Sequence, residues 1–247
     1  MLIEGKVCIV TGSGQGIGKG IALKLAEFGC DVAVVGRTTE KVERVASEIE
    51  KMGRRALPVT TDVSDFYQVT KMTETVIREL GGIDILVNNA ATTQLKKFVD
   101  TEPVEREEMI KINLGGYMNV CQAIVPHLIE KKGGKIINVA SIVAFVGRVK
   151  LCIYAASKGG IISFSKALAR ELARYNINVN CVCPGPTDTP AYAVMPPRER
   201  EIELKMIPLG RIGQPEDVGN AVVFLASPLS DFITGQTITV DGGMTMR

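Results

Sequence analysis

Seven short apolar runs, most of them rich in valine and isoleucine, alternate along the chain with longer segments of helical periodicity. The strand-like runs lie at about 7–11, 31–36, 55–61, 83–88, 134–140, 177–183 and 236–240. The helix-like segments lie at about 17–29, 39–52, 64–80, 103–131, 153–174 and 215–226. Continuously apolar strands are typical of parallel sheets that helices cover on both faces. The pattern therefore predicts an α/β fold with one doubly wound, seven-stranded parallel sheet, a Rossmann-like arrangement.

Length and organisation favour one domain. The chain has 247 residues, enough for a deep core in a single α/β domain spanning residues 1–247. We find no linker composition and no internal repeat. A stretch rich in proline and charge at residues 190–206 interrupts the alternation after a predicted strand end. We expect this stretch to be a mobile substrate loop over the ligand crevice, with an ordinary surface excursion as the alternative.

Composition narrows the choice of partners and location. A formal net charge of +2, with basic and acidic residues interspersed, gives no reason to expect nucleic acid or an anionic membrane as a partner. The first residues lack a cationic region, and no stretch approaches about 18 uninterrupted apolar residues, so we expect no signal peptide and no membrane span. The six cysteines include no C-x-x-C pair, and there is one histidine. We expect reduced core thiols, no metal site and a cytoplasmic location, with Cys152 as the exception among the thiols because it lies two residues before Tyr154.

A glycine-rich turn separates the first predicted strand from the first predicted helix. Residues 11–18 read T-G-S-G-Q-G-I-G, which is a T-G-x-x-x-G-x-G spacing rather than G-x-G-x-x-G. Such a turn lets backbone N–H groups approach a pyrophosphate at the helix N-terminus. Alone it could be a flexible turn, but a strand before it and a helix after it are the context that a dinucleotide site requires. The sequence therefore predicts a dinucleotide cofactor at this turn.

A tyrosine and a lysine four residues apart supply a second functional signal. Tyr154 and Lys158 would lie on one face of a helix, and Ser141 precedes them at a predicted strand end. A cation beside a phenol favours the phenolate and lowers the phenol's pKa from about 10 toward working pH. The tyrosine could then act as a general acid or base while the serine hydroxyl holds a substrate oxygen. Without other matches, the pair would be an ordinary solvated helix pair.

The order of these motifs along the whole chain resembles that of the short-chain dehydrogenase/reductase family. The matching residues are Thr11, Gly12, Gly16, Ile17 and Gly18 after the first strand, Asp62 and Val63 after the third, Asn88, Asn89, Ala90 and Ala91 after the fourth, Asn113 in the long helix, Ser141, Tyr154 and Lys158, and Pro184, Gly185, Thr187 and Thr189 after the sixth strand. Each match is common by itself, but the ordered set is specific. The resemblance implies an NAD(P)-dependent oxidoreductase that moves a hydride between nicotinamide and a ketone or secondary alcohol.

Roles for individual residues follow from that resemblance. Tyr154 would pass a proton to or from the substrate oxygen, Lys158 would lower the tyrosine's pKa and bind the nicotinamide ribose, and Ser141 would orient the carbonyl. Asn113 would kink its helix and help to hold a water in the proton relay. The implied catalytic set is Asn113, Ser141, Tyr154 and Lys158. The implied cofactor-binding set is Gly12, Ser13, Gln15, Gly16, Ile17, Gly18, Arg37, Thr38, Asp62, Val63, Asn89, Ala90, Tyr154, Lys158, Pro184, Gly185, Thr187 and Thr189.

The end of the second strand bears on which nicotinamide is used. NAD enzymes usually place an acidic residue there to accept hydrogen bonds from the ribose 2′-hydroxyl. This chain has Gly36 at that point and Arg37 after it, and a guanidinium can pair with a 2′-phosphate. Gln15 stands where many NADP-preferring members carry a second basic residue. We expect NADP(H) to be favoured over NAD(H).

Substrate preference depends on longer stretches. Residues 207–218 and 233–244 resemble the 3-oxoacyl-[acyl-carrier-protein] reductase-like members of the family, although such endings recur among its alcohol dehydrogenases. Residues 184–190, and Ala91 in place of the usual glycine, depart from the carrier-protein reductases. We expect reduction of a 3-oxoacyl thioester carried by an acyl carrier protein or by CoA. The alternatives are a dehydrogenase of a cyclic or other small secondary alcohol and, in another class, a non-catalytic dinucleotide-binding sensor.

Two features bear on assembly and on a protein partner. The predicted helices at 103–131 and 153–174 are apolar on more than one face, and enzymes resembling this one pack such helices across a two-fold axis, so we expect a homotetramer. Arg174 and the Lys131–Lys132 pair could contact an acidic carrier protein, although solubilising surface charges are the simpler interpretation.

Overall fold

The sheet contains seven parallel strands. The structure, a computed structural model, describes residues 2–246. The strands are β1 (Val7–Thr11), β2 (Asp31–Gly36), β3 (Ala56–Thr60), β4 (Ile85–Asn88), β5 (Gly134–Val139), β6 (Ile177–Pro184) and β7 (Thr237–Val240). They lie in the order β3-β2-β1-β4-β5-β6-β7, and every neighbouring pair is parallel. The predicted doubly wound sheet is confirmed.

Helices connect these strands and cover both faces of the sheet. The α-helices are α1 (Gly16–Glu27), α2 (Thr39–Lys51), α3 (Phe66–Leu80), α4 (Pro103–Ile110), α5 (Gly116–Lys131), α6 (Val143–Val146), α7 (Cys152–Leu172), α8 (Pro190–Ala193), α9 (Pro197–Lys205) and α10 (Pro215–Ala226). Short 3-10 segments lie at Phe98–Asp100, Ala173–Tyr175 and Pro228–Ser230. The sequence predicts α1, α2, α3, α7 and α10 to within two residues at each end.

The helix predicted over 103–131 is interrupted. A π-helical turn, Lys111–Gly115, separates α4 from α5 and contains Asn113. The buried side chain of Asn113 donates to the carbonyl of Thr92 at 2.9 Å and accepts from the N–H of Thr92 at 2.8 Å. The segment is helical along its length, and its irregular turn lies at Asn113, the residue expected to kink the helix; periodicity alone does not reveal the contact with a loop 21 residues away.

The stretch predicted as a loop at 190–206 contains the short helices α8 and α9. Each begins with a proline, Pro190 or Pro197, at a position where the missing N–H would have had no helical partner. The Thr189 hydroxyl caps α8 by accepting a hydrogen bond from the N–H of Tyr192 at 3.1 Å. None of the residues in α8 or α9 is buried. The stretch is helical in two places and exposed except for Met195 between them, and its mobility stays a prediction.

Apolar side chains pack on both faces of the sheet. Cys8 and Val10 of β1 belong to the cluster under α1, α2 and α10, whereas Ile9 belongs to the cluster under α3, α5 and α7. All three are fully buried, and burial of each large aliphatic side chain contributes roughly 1.5–3 kcal/mol. The two cores hold the strands rigidly and so fix where their carboxyl ends meet.

The strand order reverses between β1 and β4. From β1 the chain builds outward to β3, and it then returns to β4 on the other side and continues to β7. In open α/β sheets, ligands bind beyond the carboxyl ends of the strands at such a reversal. The segments after β1, β4, β5 and β6, which carry most of the predicted site residues, leave the sheet at this edge.

The cysteines are mostly buried in the fold, and the single histidine makes a hydrogen bond between two elements. Five cysteines are buried and Cys152 is exposed, and all six are free thiols. His127 accepts a hydrogen bond from the N–H of Ile83 at 3.1 Å and thereby links α5 to the start of β4. Within residues 2–246, no helix combines the length and hydropathy needed to cross a membrane. Among the same residues, no group of three or more histidine, cysteine and acidic side chains could hold a metal ion.

Candidate active site

An open cleft of about 370 Å³ runs along the carboxyl edge of the sheet. It reaches from the turn after β1 and the end of β2 to the ends of β5 and β6. The predicted site residues that line it are Gly12, Gln15, Gly16, Ile17, Gly18, Arg37, Thr38, Asp62, Val63, Asn89, Ala90, Ser141, Tyr154, Lys158, Pro184, Gly185 and Thr189. Ser13, Asn113 and Thr187 lie behind the cleft wall rather than on it.

The glycine turn leaves room for a phosphate and little room for side chains. A Cβ on Gly12, whose φ is +64°, would lie 2.7 Å from the Cα of Ala90, and a Cβ on Gly18 would lie 2.3 Å from the carbonyl oxygen of Gly12. The N-cap residue of α1, Gln15, makes no side-chain capping hydrogen bond. The first N–H groups of α1 therefore keep their capacity to bind an anion, so this turn fits the pyrophosphate of a dinucleotide.

The end of β4 is tied to the glycine turn. The side-chain amide of Asn89 donates to the carbonyls of Thr11 at 3.0 Å and Gly12 at 3.1 Å. The Thr11 hydroxyl accepts from the main-chain N–H groups of Asn89 at 2.9 Å and Ala90 at 3.1 Å. Asn89, expected at the ribose, thus uses its amide donors to fix the turn that would hold the cofactor.

Two predicted cofactor residues make main-chain contacts instead. Ser13 is fully buried; its hydroxyl donates to the carbonyl of Val10 at 2.7 Å and accepts from the N–H of Val35 at 2.9 Å. Thr187 donates to the carbonyl of Gly185 at 2.9 Å. Both side chains shape the loops around the cleft, so their direct contact with a cofactor has no support in the geometry.

Asp62 and Val63 form the wall beyond β3. The Asp62 carboxylate accepts from the N–H of Ser64 at 2.9 Å, which fixes the turn after the strand. Val63 is buried against α5 at Gly116, where an added Cβ would lie 2.6 Å from the valine side chain. A glycine on α5 therefore lets this wall come close to the cleft.

The end of the cleft beside β2 and α2 holds a cation that the motif comparison misses. Arg37 is exposed there, and Lys41, one turn into α2, also lines the cleft. The Lys41 ammonium donates to the side-chain oxygen of Gln15 at 2.6 Å. Arg37 precedes α2, so helical spacing does not connect the two residues; the only sequence signal for Lys41 is a basic side chain in the first turn of the helix after β2. Gln15 replaces the basic residue that is common at its position, but its side-chain oxygen holds the ammonium of Lys41, which comes from α2.

Ser141, Tyr154 and Lys158 meet at the other end of the cleft. Ser141 follows β5, and Tyr154 and Lys158 lie in the first two turns of α7. Removal from solvent by the surrounding protein raises the pKa of Tyr154 to about 12, although a hydrogen bond with Ser141 acts in the opposite direction. Burial lowers the pKa of Lys158 to about 7. Burial therefore sets the direction of this pKa shift, and the acidification of the phenol by Lys158 stays a prediction.

Lys158 is held from behind by a second tyrosine. Its ammonium donates to the carbonyl of Val139 at 2.8 Å and to the hydroxyl of Tyr117 at 3.3 Å. The ammonium lies 5.1 Å from the ring centre of Tyr117 and 5.6 Å from that of Tyr154. Sequence reasoning misses Tyr117, because a tyrosine in an apolar helix reads as an ordinary core residue.

Asn113 approaches this group through Ser157 rather than through Tyr154. Its amide donates to the Ser157 hydroxyl at 3.2 Å as well as to Thr92. The Ser157 hydroxyl in turn donates to the carbonyl of Tyr154 at 2.8 Å. The side chain of Asn113 therefore fixes the loop after β4 against the first turns of α7, and the expected role in a water relay stays a prediction.

Fold and site together define a class, the nicotinamide-dependent oxidoreductases. A family model described as enoyl-(acyl carrier protein) reductase matches residues 12–245. The chain belongs to the short-chain dehydrogenase/reductase family, as the motif order predicts, and it is an NAD(P)-dependent oxidoreductase acting on alcohol or ketone groups.

Relatives match the chain over nearly its whole length. The 3-oxoacyl-[acyl-carrier-protein] reductase FabG of Thermotoga maritima is 40% identical over 246 residues and covers 100% of both chains. The FabG of Aquifex aeolicus is 42% identical over 243 residues, 98% of both chains. Among solved structures, one from Sinorhizobium meliloti described as a short-chain alcohol dehydrogenase superposes with a TM-score of 0.93 at 36% identity, covering 98% of this chain and 96% of that one.

Proposed function

We propose that this enzyme reduces the ketone of a 3-oxoacyl thioester with NADP(H) as the favoured cofactor. The observation that carries the proposal is the meeting of Ser141, Tyr154 and Lys158 at one end of a cleft whose other end fits a dinucleotide. The names of the curated relatives support the thioester, and their full-length similarity supports the same reaction here.

The cofactor would be held by the glycine turn and by the strand-end residues that line the cleft. When bound, a nicotinamide supplies or accepts the hydride at the substrate carbon. Gly12, Gly16 and Gly18 would keep the turn open to the pyrophosphate, and Lys158 would donate to the ribose beside the nicotinamide. The remaining steps, which orient the ketone and move a proton, belong to side chains of this protein.

Tyr154 would donate the proton that the substrate oxygen takes up as the ketone becomes an alcohol. A phenol whose pKa is about 12 is protonated at neutral pH, which is the form that reduction requires. Ser141, which bonds to the phenol in this structure, would turn its single hydroxyl proton to the substrate oxygen and donate a second hydrogen bond to it as negative charge develops there. This arrangement supports reduction at neutral pH and alcohol oxidation at higher pH.

A substrate panel tests the reaction. Nicotinamide absorbance would be followed with a 3-oxoacyl-carrier protein, acetoacetyl-CoA, a 2-enoyl-CoA and a cyclic ketone. We expect the highest kcat/KM with the 3-oxoacyl thioesters. Preference for the cyclic ketone would establish the alcohol-dehydrogenase alternative, and preference for the enoyl thioester would refute carbonyl reduction. No turnover of any substrate with tight cofactor binding would support the sensor.

The preference for NADP(H) would come from two cations at the adenosine end. Arg37 and Lys41 both line the cleft there, and Gln15 orients Lys41. We expect Arg37→Asp to shift the ratio of kcat/KM values toward NAD(H), and Lys41→Ala to weaken NADP(H) binding roughly tenfold, since a charged hydrogen bond is typically worth about 1.5–3 kcal/mol. Lys51→Ala, on the exposed last turn of α2, is the matched control. An unchanged cofactor ratio in Arg37→Asp would show that another group reads the 2′ position.

Three further proposals concern partners and setting. A homotetramer is supported by exposed apolar side chains on α4 and α5, Val104 and Met118, and a monomer-sized elution peak at micromolar protein would contradict it.

An acyl carrier protein would be the thioester carrier; Lys131, one cation considered for that contact, is already paired with Asp84 at 2.6 Å. A cytoplasmic location would match reduced thiols.

A further inference from the structure

Tyr117 is buried in the centre of the molecule behind the reacting groups. Its side chain is 1% exposed, and its hydroxyl donates to the carbonyl of Val139 at 2.9 Å. The same hydroxyl accepts from the Lys158 ammonium at 3.3 Å. The Val139 carbonyl also accepts from Lys158, at 2.8 Å, so the three groups form a closed hydrogen-bonded triangle.

The triangle uses two of the three N–H donors of the lysine. A lysine ammonium has three donors and no acceptor, on a flexible four-carbon stem. With one donor on Val139 and one on Tyr117, the remaining donor is left for the cleft side, where Tyr154 lies. The aromatic rings on either side further restrict the ammonium and attract its positive charge.

We propose that Tyr117 is a positioning residue for the reaction, which orients the Lys158 ammonium and favours its charged form so that it can act on Tyr154 and the cofactor ribose. The inference rests on the proposed function of Lys158. A hydroxyl oxygen that accepts a hydrogen bond from an ammonium stabilises the charge, and it opposes the effect of burial, which disfavours that charge. Without the Tyr117 hydroxyl, Lys158 would lose its proton at lower pH.

The other titratable groups around Lys158 are thiols and phenols. Tyr154 faces it from its own helix, Tyr117 from α5, and Cys181 and Cys183 from β6. Burial raises the pKa of Tyr117 well above its usual value, so this phenol stays protonated and acts as a dipole rather than as a counter-ion. Burial lowers the pKa of the lysine, and Cys183 and Cys181 act in the opposite direction; its hydrogen-bond acceptors are the Tyr117 hydroxyl and the Val139 carbonyl.

The test is Tyr117→Phe, which keeps the ring and removes the hydroxyl. The Val139 carbonyl keeps its bond from Lys158, so no main-chain acceptor loses its last partner. Thr73→Val is the matched control, because it also removes one buried hydroxyl that donates to a main-chain carbonyl, that of Val69 at 2.9 Å, away from the cleft. Circular dichroism and thermal unfolding of both variants would establish that each is folded.

The first readout does not need activity. Carbon-13 labelling of lysine side chains, with Lys158→Met to assign the signal, gives the titration of Lys158 by NMR. We expect its midpoint to fall by roughly half a pH unit or more in Tyr117→Phe and to be unchanged in Thr73→Val. An unchanged midpoint in Tyr117→Phe would overturn the inference, whatever the substrate proves to be.

The second readout is the pH profile of catalysis. Because a less charged Lys158 favours the phenolate of Tyr154 less, we expect the rising limb of alcohol oxidation to move to higher pH by a similar amount. At neutral pH we expect the kcat of alcohol oxidation to fall about three- to tenfold, with the KM for the alcohol within twofold of the wild-type value. A lower kcat with no movement of the profile would mean a purely structural role. If wild-type protein turns over nothing, the proposed function fails while the NMR titration still decides the role of Tyr117.

Discussion

The candidate site has a rigid end, the glycine turn, and an exposed end, the segment 190–206, and the two are built in different ways. Around the glycine turn, main-chain atoms are held by hydrogen bonds with the side chains of Thr11, Ser13 and Asn89, and an added Cβ at Gly12 or Gly18 would meet backbone within 3 Å. In the segment 190–206, α8 and α9 have no buried residue, and the only buried side chain is that of Met195 between them. Ionic contacts join α9 to the region after α6: Arg148 lies 2.9 Å from Glu203 and 3.6 Å from Glu199.

This contrast matches a difference between the two ligands: the cofactor is the same in many enzymes, whereas the substrate varies. A dinucleotide presents the same pyrophosphate to every enzyme that uses it, so a rigid main-chain turn suits it. Substrates differ, and an exposed segment held by side chains can change sequence without disturbing the core. We infer that substitutions near the glycine turn alter cofactor binding and that substitutions in 190–206 alter substrate choice.

The largest effect is expected at Tyr154, between the glycine turn and the substrate. Tyr154→Phe removes the proton donor and leaves the ring, so kcat should fall roughly 10²–10⁴-fold while the cofactor dissociation constant stays nearly unchanged. Steady-state kinetics and fluorescence titration with NADPH would measure the two quantities. Tyr175→Phe is the control, since that hydroxyl bonds to Arg174 away from the cleft. Substantial residual turnover in Tyr154→Phe would show that the proton comes from another group.

A smaller but still large effect is expected at the rigid end. Gly18→Ala places a methyl group 2.3 Å from the carbonyl oxygen of Gly12, and the turn must shift to relieve the clash. We expect cofactor affinity to fall at least tenfold and the free energy of unfolding to fall by about 1–3 kcal/mol. Gly159→Ala, in α7, has no atom within 4 Å of the new Cβ and should be neutral or stabilising. Unchanged cofactor affinity in Gly18→Ala would show that the glycine turn is not the rigid binding element inferred for it.

The smallest effect is expected at the exposed end. Arg148→Met breaks the contact with Glu199, which is partly solvated and therefore weak, and the contact with Glu203, whose side chain is 13% exposed. We expect amide hydrogens of 197–205 to exchange about three- to tenfold faster and the substrate KM to rise a few-fold, with the cofactor dissociation constant unchanged. Lys71→Met, which breaks an exposed pair with Glu74 on α3, is the control. Unaltered exchange at 197–205 would show that packing rather than charge holds the segment.

Sequence predicts the sheet well because its signal is local. Strands such as Val7–Thr11 and Asp31–Gly36 are continuously apolar and end at glycine or polar residues, so their bounds can be predicted directly. The helices in 190–206 had local signals too, Thr189 before Pro190 and the Pro196–Pro197 pair, but their exposed, charged composition favoured a loop prediction.

The site was predicted less completely because side-chain direction is not local. Ser13 has the expected position in the turn, yet its hydroxyl points into the sheet and bonds to Val10 and Val35. Tyr117 and Lys41 reach the cleft from helices that no motif marks. The pKa of Tyr154 depends on how much protein surrounds it, which spacing to Lys158 alone does not reveal.

The π turn at Lys111–Gly115 has a consequence for anyone who redesigns this chain. A π turn holds one residue more than an α turn, so deleting one residue there would restore regular hydrogen bonding from Pro103 to Val125, before Pro126, which has no N–H to donate. The deletion would also rotate one half of the helix by roughly 100° against the other, turning Asn113 away from Thr92. A shorter, more regular version of this helix should therefore form more readily as an isolated peptide and fit the rest of the protein worse.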